Sequence, residues 1–265
     1  MPKEKFKEWP LIDAFGICRL SILPVYSAPT FDSFLVSQLL FGECYQVTAL
    51  TPDRKWFKIH QEDSEISGWI TSDSLKEIPK DDYLKLNGGD YQVVNSPIAA
   101  IEYQGTNLYL LPGSRLHFSE IELFNWKDHV GFTGSVRSHR QRASREDLIE
   151  VALKYLNTPF QSGGRSIFGM DHRWFFPLVF SISGYTLRLS RHMGELIEEE
   201  EVMPGDFLSL LDTSSNQLGL SLYLGAEQVL WMDNKVKVSD TFEWERQATN
   251  NYAEEAVCET RSILE

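Results

Sequence analysis

The chain has 265 residues, enough for two or three compact domains. Hydrophobic residues make up 42% and charged residues 24%, ordinary globular usage that excludes long disorder. A formal net charge of −13 argues against nucleic acid and against anionic membrane surfaces, both of which need clustered Lys and Arg.

The opening MPKEKFKEWP lacks the apolar core of a signal peptide, and no apolar run is long enough to cross a bilayer. The expected compartment is the cytoplasm, without membrane insertion. Cys18, Cys44 and Cys258 are far apart and odd in number, so they imply no disulfide framework.

From about Gly16 to Ser74 the chain reads as short strands between turns. Cys44, Gln46 and Thr48 alternate with Tyr45, Val47 and Ala49 as in a half-buried strand; KWFKI and SGWI follow. This predicts a small all-β barrel. The polar stretch SDSLKEIPKDDYLKLNGGD, closing on Gly88-Gly89, reads as a connector. YQVVNSPIAAIEY, NLYLLPGSRL and HVGFTGSV then carry β-branched and aromatic residues between Gly and Pro, predicting a second small β domain.

At Ser144 the rhythm changes. Ser144 is placed to cap a helix with Asp147 at the third position, and Leu148, Val151, Ala152 and Tyr155 follow at helical spacing. Asn157-Thr158-Pro159 ends it. After QSGGRSIFGMD comes a second helix, WFFPLVFSISG, apolar nearly all round and so expected to be buried. DFLSLLD, LGLSLYLG, QVLWMD and KVKVSD alternate as strands. Helices followed by antiparallel strands make this domain α+β. The expected boundaries are 1–80, 81–143 and 144–265.

The phrases PVYSAP, VSQLLFGE, KWFKI, GWI, NTPFQSGGRSIFGMD, MPGDFLSLLD, LYLG and TNNYAEEAVCETRSILE span nearly the whole chain. With the three-part layout they resemble NlpC/p60 cysteine peptidases that carry two bacterial SH3 domains ahead of a papain-like domain. The resemblance implies two SH3-like β-barrels followed by an NlpC-type α+β domain. It also implies cleavage of murein peptides after γ-D-glutamate, with no cofactor or metal. In active relatives a Cys opens the buried helix, where the helix N-terminus favours a thiolate. A His on one strand is the base, and a second His on the next strand orients it.

Carried over residue by residue, the resemblance puts His172 at the nucleophile position, with Arg173 and Trp174 beside it. The base position is Gly219 and the orienting position Trp231. Gly has no side chain and Trp offers only an indole N–H, so no triad is intact. Asp171 is retained where relatives hold the substrate amine. Ile66 and Ser67 occupy a recognition site that relatives fill with Tyr and Glu, and Arg188-Leu189-Ser190-Arg191-His192 replaces another conserved segment. The expectation is a catalytically inactive homologue that binds a muropeptide or a protein partner in a cleft between its first and last domains. The alternatives are an altered hydrolase on γ-D-glutamyl peptides and a structural interaction module.

Other motifs have plainer readings. His172 with Asp171 and His192 lacks any metal-ligand spacing, and a histidine capping a helix is the simpler account. Gly163 to Ser166 is no phosphate loop, lacking the terminal GK[ST]. Glu198 to Glu201 lacks calcium-loop spacing and reads as a solvated turn. Trp56, Trp69 and Trp126 sit in strand phrases and are expected in cores. Trp231 is expected across a hairpin from Gly219, plugging the former groove beside the helix of His172 together with Trp174.

Overall fold

The computed structural model describes residues 8–103, 105–117, 131–189, 193–212, 218–252 and 256–264. By their contacts these fall into two compact units: the residues up to Gln141 together with Gln161–Ile167, and Arg142–Phe160 with the residues from Phe168 onward. The architecture is mixed α and β, mostly sheet.

The first unit opens with β1 (Trp9–Ile17), β2 (Ile22–Tyr26), β3 (Leu35–Leu40), β4 (Cys44–Leu50), β5 (Trp56–Gln61), β6 (Ile66–Thr71) and β7 (Glu77–Ile78). They form one antiparallel sheet in the order β3-β2-β6-β5-β4-β1-β7. Its pairing is open, ending at β3 and β7, whereas the sequence suggested a closed barrel. The first strand starts earlier than the strand rhythm suggested: β1 pairs with β4 from Trp9↔Leu50 to Ile17↔Cys44, interrupted between Pro10 and Ala14.

The stretch read as a connector contains a helix, α1 (Lys80–Gly88). Only its Tyr83 and Leu86 are buried, and they join Phe15, Ile17 and Cys44 in one core. Two such residues three apart stabilise a short helix by packing, a signal too sparse to show in a polar sequence. The tilted Phe15–Tyr83 ring pair, centroids 4.4 Å apart, marks the contact.

Next come β8 (Tyr91–Val94), β9 (Ala99–Tyr103), β10 (Thr106–Leu110), β11 (Arg115–His117), β12 (Phe132–Thr133) and β13 (Val136–Ser138). They make two three-stranded antiparallel sheets, β10-β9-β12 and β11-β8-β13. Phe41 belongs to their core beside Val94, Ile101, Leu110 and Leu116. Trp56 and Trp69 are buried as expected, while Trp126 lies outside the described residues.

Next in sequence to Phe41 begins a buried polar knot. Gly42 adopts φ +82°, and a Cβ there would stand 2.0 Å from the Arg115 carbonyl oxygen, so only glycine fits. His117 is 3% exposed, and its Nε2–H donates to the Gly42 carbonyl at 2.9 Å. Burial pushes the His117 pKa down to about 4, despite that hydrogen bond. Glu43, 2% exposed, accepts from Arg165 Nη1 and Nη2, both at 3.0 Å, and from the Leu40 N–H at 2.8 Å. Arg165 reaches the knot on the segment Gln161–Ile167, where Gly163 (φ +73°) lies against the Leu35 carbonyl, 2.4 Å from a hypothetical Cβ.

The second unit contains α2 (Arg145–Leu153), β15 (Gly169–Met170), α3 (His172–Ile182), β16 (Glu195–Leu196), β17 (Phe207–Asp212), β18 (Leu218–Gly225), β19 (Gln228–Met232), β20 (Val236–Asp240), α4 (Thr241–Tyr252) and β21 (Ala256–Ser262); β14 (Arg165–Ser166) belongs to the first unit. Ser144 caps α2 as its spacing predicts, accepting from the Asp147 N–H at 3.1 Å. The strands form a six-stranded antiparallel sheet, β16-β21-β17-β18-β19-β20. Helix α4, inserted between β20 and β21, departs from the expected run of uninterrupted strands.

The sheet divides its side chains between two helices. Phe207 meets Phe176 and Phe180 of α3, with ring centroids 5.0 and 5.2 Å away. Its neighbour Leu208 must point to the opposite face, where it joins Leu210, Val229, Trp231 and, from α4, Trp244 and Ala248. No described helix is long and apolar enough to cross a membrane.

Candidate functional site

The start of α3 is built by backbone. The Phe160 N–H donates to the Asn234 carbonyl at 2.8 Å, the Asn157 N–H to Val236 at 2.8 Å, and the Met170 N–H to Pro159 at 3.0 Å. These bonds tie the segment after α2 to the β19–β20 turn and to the residue preceding the α3 cap.

Asp171, not His172, is the helix cap. Its backbone is extended (φ −97°, ψ 143°), and its Oδ1 accepts the Arg173 main-chain N–H at 3.0 Å. The Arg173 side chain then folds back, donating from Nε to Oδ1 at 2.9 Å and from Nη2 to Oδ2 at 2.8 Å. The Asp171 carboxylate, 4% exposed, is thus occupied by a bidentate guanidinium from two residues away. An acidic position read as a holder of a substrate amine is already neutralised within the chain.

His172 is the first helical residue, and its ring meets Phe160 edge-on with centroids 4.7 Å apart. Burial of part of the ring lowers its pKa. The charges of Asp171 and Asp233 oppose that shift, and Arg173 adds to it. The side chain therefore stands as a neutral imidazole at neutral pH, able to accept or donate one hydrogen bond.

The hairpin carrying the other two positions differs from expectation. Trp231 pairs with Ser221, not with Gly219; Gly219 pairs with Leu210 on β17. The turn is made by Ala226 (φ 50°) and Glu227 (φ 58°), with Gly225 at φ +93° and a register shift between Tyr223 and Gly225. Two central residues at positive φ are the geometry of a tight two-residue hairpin. This moves the partner of Trp231 two residues along β18.

Trp231 is 4% exposed, as expected, but its companions are not those expected. It packs with Trp244 and Ala248 of α4, donates from Nε1 to Ser239 Oγ at 2.9 Å, and lies under Lys237 Nζ at 4.3 Å. It fills the α4 face of the sheet, opposite the face where α3 packs on Phe207, so it does not plug a groove beside His172. Trp174 is half-buried; its N–H donates to the Asp171 carbonyl at 2.9 Å.

In the first unit, Ile66 is 1% exposed in the core of the sheet. Ser67 faces solvent, 2.7 Å from His60 Nδ1. Ile66 offers an apolar core contact and no polar group to a ligand. Cys18 and Cys44 are buried thiols, and burial pushes Cys18 up to about 12; Cys258 is exposed on β21. Among the described residues no group of three or more His, Cys, Asp or Glu is placed to hold a metal. Arg191 and His192 fall outside the described residues. Sequence reasoning missed Phe160, Asp233 and the Asp171–Arg173 clasp. Only the clasp had a local signal, an acidic cap two residues before a long cation.

The sequence matches no family model and no curated protein. Solved structures do match. A crystal structure of an NlpC/P60 family protein from Bacillus cereus ATCC 10987 aligns with a TM-score of 0.71 at 17% identity, covering 95% of this chain and 100% of that one. An NlpC/P60 endopeptidase from Photobacterium damselae subsp. piscicida aligns at 0.67 and 14% identity, covering 95% of this chain and 73% of its own. The chain has the fold of these NlpC/P60 proteins.

Proposed function

We propose that this protein is a catalytically inactive NlpC/P60-type chain, with bacterial SH3-derived β regions, that binds a cytoplasmic murein peptide without cleaving it. The observation that carries the reading is His172 at the start of α3, where the resemblance calls for a thiolate. A helix N-terminus stabilises an anion, and a neutral imidazole there gains nothing from it. Two further features support it. The remaining triad positions are Gly219, without a side chain, and Trp231, whose indole N–H is spent on Ser239. The nearby carboxylate of Asp171 is clasped by Arg173.

The test is a calorimetric titration with L-Ala-γ-D-Glu-diamino acid peptide, followed by product analysis of the same sample. Saturable heat with intact peptide is the expected result. Time-dependent release of L-Ala-D-Glu, abolished by His172→Ala, overturns it. That outcome would favour a second reading, an altered hydrolase. The lowered pKa of His172, which leaves its imidazole free to act as a base at neutral pH, is what speaks for it.

A further inference from the structure

The charges at the start of α3 decide which ligand terminus it can hold. Asp171 is 4% exposed, and Arg173 grips its carboxylate through Nε and Nη2 at 2.9 and 2.8 Å. Asp233 is the second carboxylate whose charge reaches His172, and Lys237 Nζ holds it at 3.0 Å. The His172 imidazole is neutral at neutral pH, and a helix N-terminus is itself partially positive. An ammonium group arriving here meets two carboxylates that already have cationic partners.

The gripping guanidinium still has something to offer. The Arg173 side chain is 57% exposed. Its Nε and Nη2 form one edge of the planar fork, which leaves Nη1 directed away from Asp171 and without a partner among the described residues. A charged donor so placed suits a carbonyl or carboxylate oxygen. A free amino terminus could reach Asp171 only by displacing Arg173, breaking two charge-assisted hydrogen bonds.

We infer that Arg173 is a specificity-determining residue. It withholds Asp171 from a ligand's ammonium group, and its Nη1 takes the carbonyl of an acylated amino terminus instead. This rests on the murein-peptide reading and narrows it to N-acylated peptides. Phe160, 46% exposed with its ring against His172, offers the acyl carbons an apolar surface at the same helix end.

The test compares two calorimetric titrations of the intact protein, one with L-Ala-γ-D-Glu-diamino acid peptide and one with the same peptide acetylated on its alanine. The ammonium of the diamino acid is common to both, so the difference reads the amino terminus alone. Wild type should bind the acetylated peptide about tenfold more tightly, the scale of one hydrogen bond to a charged group. Arg173→Met keeps a long side chain and the main-chain cap but removes the grip, and it should reverse the order. Arg173→Lys, which keeps the charge without the fork, should fall between. A general loss of stability would not move this ratio of affinities. Equal or tighter binding of the free-amine peptide by wild type, or an unchanged order in Arg173→Met, overturns the inference and leaves the murein reading intact. If wild type binds neither peptide while Arg173→Met binds the free-amine one, the murein reading of the native chain falls and the withholding of Asp171 stands. No heat from any of the three proteins overturns both.

Discussion

Arg165 and Glu43, 122 positions apart in sequence, form a bidentate ion pair with both N–O distances at 3.0 Å and side chains 5% and 2% exposed. Arg165 Nη1 also donates to the Gln38 carbonyl, and its main-chain N–H to Gln38 Oε1, each at 2.8 Å. A buried pair so well bonded is dangerous to halve. Arg165→Ala should destabilise by about 3 kcal/mol, because it leaves the buried Glu43 carboxylate only the Leu40 N–H and the more distant Arg115, 3.9 Å away. Urea unfolding of Arg165→Ala, Glu43→Ala and the double variant checks this: the double should cost less than the two singles together.

His117 makes the protein acid-sensitive. Its pKa is about 4 in the fold against 6.5 for the unfolded chain, so the folded state resists taking the proton. Above pH 6.5 both states are neutral there and nothing is lost. As pH falls from 6.5 toward 4 the unfolded chain gains the proton first, and stability drops by up to about 3 kcal/mol. Urea midpoints of wild type and His117→Asn at pH 7.5 and 4.5 read the effect. The variant should lose less stability between the two pH values.

Trp231→Ala should cost about 3–5 kcal/mol, the range for a core aromatic. The loss comes from contacts with Trp244 and Ala248 and from the bond to Ser239. Trp231→Phe should recover most of the packing but not that bond. A thermal melt of Trp231→Ala indistinguishable from wild type would contradict its placement under α4.

His172→Cys alone should not create a peptidase. A thiol at the start of α3 would be ionised more readily than in water, yet Gly219 supplies no base and the Trp231 indole is turned to the α4 face. Incubation of the variant with murein tripeptide should leave the substrate intact over hours. Robust turnover would show that another group serves as base.

Much of the fold was legible because its signals are local. Ser144 and Asp147 announce a cap, and β17 to β20 show as short apolar runs divided by polar turns. Helix α1 was hidden, since only Tyr83 and Leu86 of its nine residues are buried. In α4 the inward residues Trp244 and Ala248 sit among Glu, Arg and Gln, and the capping Asp240, whose Oδ1 accepts the Glu243 N–H at 2.7 Å, also ends a strand. The hairpin was misjudged because Ala226 and Glu227 adopt positive φ, which neither residue type advertises. Of the site, residue identities could be read at His172 and Asp171. The company they keep could not, because Phe160 and Asp233 are brought in by backbone bonds between distant segments.

The placement of Gln161–Ile167 bears on how such a chain can be cut and recombined. These seven residues interrupt the second unit in sequence, yet their bonds and their glycine contact belong to the first. A fragment beginning at Arg142 would carry Arg165 without its carboxylate, and one ending at Gln141 would leave Glu43 only the more distant Arg115, 3.9 Å away. Neither half is a portable module. Exchange between relatives would have to move Glu43 and Arg165 together, so the two units should be inherited as one piece.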